Sequence, residues 1–180
     1  MEKIALIGVG NIMFYDEGVG TYLTKYIEAN YNIPDNLEIV DGSLLGFGLM
    51  SYYQEFDKIL VVTTTSEEKS VGEIVKYSAQ EMASLSQIRK TANEVEISMM
   101  VDICSIKEDI AEIEFLTIAP ENIIDVKNGL SDTIKKRLSI LLEETLNILQ
   151  RYGLELSSNG NIKSFDEVIE EVANPKNIRF

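Results

Sequence analysis

The chain has 180 residues, 45% of them apolar, a length and composition that suit one domain with a single core and leave too little for two. Its 30 acidic side chains outnumber 16 basic ones, and the net charge of −14 excludes nucleic acid as an expected partner, because phosphate backbones are repelled. There is no histidine, so every His-based triad, every zincin motif and the commonest nitrogen ligand for nickel or zinc are excluded outright.

Residues 3–7 are a short apolar run ending at Gly8-Val9-Gly10-Asn11, which predicts a buried first strand closed by a tight turn. The run is too short for a signal peptide, and nothing in the chain approaches the ~20 apolar residues that span a bilayer. A cytoplasmic protein without a membrane partner is expected. Val19, Tyr22, Leu23, Tyr26 and Ile27 then fall on one face of a helix, with Asp16 and Glu17 at its start, where negative charge suits the helix dipole.

Residues 37–40 predict a second strand, ending at Asp41-Gly42-Ser43, and residues 44–53 a helix. Residues 58–64 are rich in β-branched side chains and predict a third strand; residues 72–77 predict a fourth. Residues 94–106 carry Val95, Met99, Ile103 and Ile106 near helical spacing, and the single cysteine, Cys104, sits among them as a small apolar residue. Residues 112–118 predict another strand. Ser131 caps a long helix with the apolar face Ile134, Leu138, Leu141, Leu142 and Leu149, which Gly153 ends. Residues 1–155 therefore form the expected domain, and residues 156–180 a polar, partly mobile tail.

Strands alternating with helices imply a three-layer α/β/α domain: a mostly parallel twisted sheet with helices on both faces. Ligand sites in such sheets gather at the carboxyl ends of the strands. The loops at Gly8–Asn11, Asp41–Ser43 and the strand end at Thr63 are therefore the expected site. Asn11, Gly42 and Ser43 are candidate substrate contacts, and Glu17 and Asp41 candidate catalytic carboxylates, a pair that could act as acid and base. The structural alternatives are that Asn11 and Asp41 merely bond the backbone of their own turns. Gly8-Val9-Gly10 lacks the third glycine of a dinucleotide fingerprint, since position 13 is Met13.

In order and spacing, these segments resemble the nickel–iron hydrogenase maturation endopeptidases. Gly8-Val9-Gly10-Asn11 followed by Asp16-Glu17-Gly18-Val19-Gly20 is similar to the family's opening motif, and Asp41-Gly42-Ser43-Leu44-Leu45-Gly46 to its second. The likeness runs over about residues 3–153. It implies a peptidase that removes a C-terminal extension from the hydrogenase large-subunit precursor after nickel insertion. It also implies a metal contact made by an acid, an Asp and a His. Here the acid matches Glu17, while the other two positions align with Thr63 and Asn93. Hydroxyl and amide oxygens are poor replacements for anionic or imidazole ligands. Hence no tightly bound cofactor is expected; nickel would arrive on the substrate's thiolates, or Asp16, Asp41 or Glu94 would complete the site. The alternative expectation is a non-catalytic relative that binds a precursor or assembly factor as a chaperone-like module.

Overall fold

The computed structural model describes residues 1–43, 45–65, 69–85 and 111–174. The expected helix over 94–106, with Cys104, and the candidate ligand Asn93 lie outside the described residues, as does Glu94.

Five strands, β1 (Ile4–Gly8), β2 (Leu37–Asp41), β3 (Lys58–Thr64), β4 (Ile74–Ser78) and β5 (Glu112–Ile118), form one sheet in the order β2-β1-β3-β5-β4. All neighbours are parallel except β4, which runs antiparallel to β5 with Ile74 opposite Ile118 and Ser78 opposite Glu114. The central strands read as unbroken apolar runs because both of their faces are covered. Side chains alternate between the faces. Ile4, Leu6, Leu60, Val62, Leu116 and Ile118 meet α1 (Val19–Asn30) and α4 (Asp132–Arg151) through Val19, Leu23, Ile27, Ile134, Leu138 and Leu141. Ala5, Ile7, Ile59, Val61, Ile113 and Phe115 meet α2 (Leu49–Glu55) and α3 (Ala79–Leu85) through Leu49, Tyr53 and Met82. This is the expected three-layer arrangement.

Ser131 caps α4 by accepting from Ile134 N, and Gly153 ends it at φ +85°, as the sequence predicts. The predicted helix over 44–53 is instead a 3-10 turn, Gly46–Gly48, followed by α2.

The expected polar tail differs more. Tyr31 and Ser158 form an antiparallel bridge, and Asn32 N donates to Ser157 O at 2.8 Å. A further helix, α5 (Phe165–Ala173), follows and packs on α1. Phe165 stacks on Tyr26 with ring centroids 3.8 Å apart, and Val168 and Ile169 are buried. The boundary drawn after residue 155 therefore does not coincide with a break in packing: an acidic segment with four apolar residues on one face found a partner helix. No described helix is long and apolar enough to cross a membrane.

Candidate active site at the carboxyl ends of β1, β2 and β3

The chain leaves β1 towards β2 on one side, and β3 leads away on the other, so the crevice beyond β1 and β3 is the topological switch point of the sheet. Backbone bonds tie the three strand ends together. Val9 N donates to Val62 O at 2.9 Å, and Gly42 N donates to Gly8 O at 2.8 Å. Asn11 then closes the turn: its Oδ1 accepts from Met13 N at 3.0 Å, and its carbonyl accepts from Phe14 N. Gly10 sits at φ +146°, and a Cβ there would lie 1.8 Å from Glu17 O, so the chain returns over this residue only because it is glycine. Gly20 plays the matching part in α1, where a Cβ would lie 2.2 Å from Val62 O.

Between these glycines lies a 3-10 turn, Tyr15–Gly18, whose residues come within 8 Å (Cα–Cα) of β3. Tyr15 occupies the left-handed region at φ +52°, which is costly for a bulky side chain. Its neighbours enforce it. Tyr15 N donates to Lys127 O at 2.9 Å, and the Lys127 ammonium lies 4.7 Å from the ring centroid. Strain held in this way is found at functional sites.

Asp16 and Glu17 are both buried in this turn, but they do different work. Asp16 has no exposed surface. Its carboxylate accepts from Glu121 N and Asn122 N, both at 3.0 Å, and from Ser131 N at 2.6 Å. It fastens the turn to the loop after β5 and to the start of α4, where the helix dipole favours an anion. That use removes Asp16 as a replacement ligand. Glu17 keeps 8% of its surface exposed, on the turn that comes within 8 Å (Cα–Cα) of β3. Tyr22, one turn into α1, accepts from Gly129 N at 3.1 Å; burial pushes its hydroxyl above the ordinary tyrosine range, so it stays neutral.

Asp41 follows its structural alternative. The residue is exposed, and its Oδ1 accepts from Ser43 N at 3.1 Å and Ser43 Oγ at 2.6 Å, an Asx turn. It flanks Gly8 opposite Val62, two strand spacings (about 10 Å) from β3. Gly42 is backbone: a Cβ would lie 2.8 Å from the Ile7 side chain. Thr63 is 3% exposed, paired in register with Thr117. The structure thus brings Asn11, Glu17, Gly42 and Thr63 to one end of the sheet, with Asp41 and Ser43 bonded to each other at its β2 side.

These residues do not fit a resident metal ion. Near the crevice the described donors are one carboxylate, Glu17, and the neutral hydroxyl of Thr63. Among the described residues no three His, Cys, Asp or Glu side chains converge.

Known proteins align with this architecture. A family profile described as hydrogenase maturation protease matches residues 21–148. The chain is 23% identical over 155 residues to the hydrogenase 2 maturation protease of Escherichia coli K12, covering 85% of this chain and 94% of that protein. Its fold is similar to that of the hydrogenase maturating endopeptidase HybD from E. coli (TM-score 0.81, 22% identity, 87% of this chain and 98% of that one). It is also similar to the [NiFe] hydrogenase maturation protease HybD from Thermococcus kodakarensis (TM-score 0.65, 20% identity, 81% and 98%). With more than half of its length matched by the family profile and the fold shared over 87% of it, the chain belongs to the hydrogenase maturation protease family.

Proposed function

We propose that this chain is a processing endopeptidase of the cytoplasm that removes the C-terminal extension of a nickel–iron hydrogenase large-subunit precursor, with nickel brought to the site by the substrate. The observation that carries this reading is Glu17, a nearly buried carboxylate fixed at the switch-point crevice by a strained tyrosine, a buried aspartate and a glycine that admits no side chain. A group positioned at such cost is suited to touching a reacting centre. The reaction is hydrolysis: water oxygen bonds to the scissile carbonyl carbon, the C–N bond breaks, and the released amine takes up a proton. Nickel already held by the precursor's thiolates needs one further contact, and Glu17 supplies it; Thr63 contributes a neutral hydroxyl beside it. Asn11, Gly42 and Ser43 line the approach as backbone-organising residues.

The test is cleavage of a nickel-loaded precursor followed by mass spectrometry. The native protein is expected to release a C-terminal peptide, and Glu17→Gln to release none while melting at the native temperature. Stable binding by the native protein with no change in precursor mass would overturn the reading in favour of a recognition module.

A further inference from the structure

Half of the exposed large apolar side chains among the described residues gather on two segments beside the crevice. Met13 and Phe14 are 55% and 37% exposed, and Ile124 and Val126 are 83% and 72% exposed; the other four, Met1, Val71, Ile140 and Ile162, are separated in sequence. Single exposed apolar residues are ordinary, but a cluster marks a contact surface. The two segments are joined along their backbones. Lys127 N donates to Met13 O and Tyr15 N to Lys127 O, both at 2.9 Å, with Phe14 opposite Lys127 in a parallel bridge.

Each segment is also held from behind. Met13 N and Phe14 N are bonded by Asn11, while Asn122 Oδ1 accepts from Ile124 N and Asp125 N and its Nδ2 donates to Asp125 Oδ2 at 2.8 Å. The apolar side chains are thus displayed on tied turns, which lowers the ordering cost of binding.

We propose that Met13, Phe14, Ile124 and Val126 form the docking surface for the folded body of the protein substrate. The inference rests on the proposed function, and position selects the occupant. Phe14 is three residues from Glu17 on the same clamped turn, at most about 10 Å of chain. A polypeptide whose scissile bond reaches Glu17 has this surface within about 10 Å of chain from the bond, in reach of the adjoining part of its own domain. Contact with the domain, added to contact with the cleaved segment, explains how a crevice with few polar groups among the described residues selects one protein.

The experiment compares the native protein with Phe14→Ser/Val126→Ser and Ile124→Ser/Met13→Ser on two substrates: the folded nickel-loaded precursor and a short peptide spanning its cleavage site. Met13, Ile124 and Val126 are more than half exposed, so Ile124→Ser/Met13→Ser is expected to melt at the native temperature; Phe14 still buries most of its ring, so Phe14→Ser/Val126→Ser is expected to melt lower, and cleavage is compared well below both transitions. For the folded precursor, KM is expected to rise roughly tenfold or more with kcat retained, while any slow cleavage of the peptide is unaffected. An unchanged KM for the precursor, with the native protein active, would overturn the docking surface and leave the proposed function standing. No cleavage or binding of the precursor by the native protein would instead overturn that function, and the docking surface with it. Sedimentation of the free proteins covers the other occupant: a native dimer that the substitutions dissociate would assign the surface to self-association.

Discussion

Asp16 is wholly buried, and three backbone N–H donors from two distant segments converge on its carboxylate. Removing it strands those donors in a site closed to water, at about 1–3 kcal/mol each. Asp16→Ala is expected to lose about 3–5 kcal/mol in urea denaturation. Asp16→Asn, which turns an N–H₂ towards N–H donors, should lose much of the same stability despite its equal size. If Asp16→Asn melts like the native protein, the carboxylate is not what joins the turn to α4. Nothing in the sequence separates Asp16 from Glu17: adjacent acids before a helix are equivalent until residues over a hundred positions away supply the donors. Asp41 was more legible, because Asp-Gly-Ser bonds locally, and the turn alternative read from it describes its hydrogen bonds. The strained φ of Tyr15 was not legible, since it is imposed by Lys127.

At the scale of elements, the limits of β3 and β5 were readable to the residue because each is a run of apolar and β-branched side chains, buried over nearly its whole length, that opens on a charged residue. The antiparallel direction of β4 was not, since its alternating half-exposed pattern is the same in either direction. The helix α5 had two signals. Phe165, Val168, Ile169 and Val172 lie at helical spacing, and Ser164 with Glu167 forms a capping box. The acidic composition of the last residues outweighed both. Hydrogen bonds from Ser164 hold the Glu167 carboxyl below its usual range, so the cap is complete at neutral pH and weakens only as pH falls through that lowered value. The helix should therefore be a stabilising part of the domain. Ile169→Ala is expected to cost about 2–4 kcal/mol with an unchanged dependence on urea concentration. A loss below about 0.5 kcal/mol, the level of a surface change, would mean that α5 does not stay on α1 in solution.

Across the whole molecule, the 3-10 turn that carries Glu17 comes close to β3, at whose end Thr63 stands buried at the position that the family resemblance aligns with an acid. A second carboxylate at Thr63 would give the crevice two anionic donors, and the sign of its effect depends on metal. Without a cation, Thr63→Asp buries a charge at the end of β3 and is expected to lower the melting temperature. A divalent ion that binds only the folded form stabilises it as concentration exceeds Kd, so nickel should restore that loss in Thr63→Asp and raise it further in Thr63→Asp/Asn93→His. The native protein, whose donors near the crevice among the described residues are one carboxylate and one hydroxyl, should show no nickel-dependent rise and no saturable heat on titration. Saturable binding by the native protein would mean that the free enzyme carries its own metal, and the nickel would no longer need to come with the substrate. A rise in Thr63→Asp alone would place the end of β3 at the metal contact and show that a single substitution separates this chain from a metal-holding crevice.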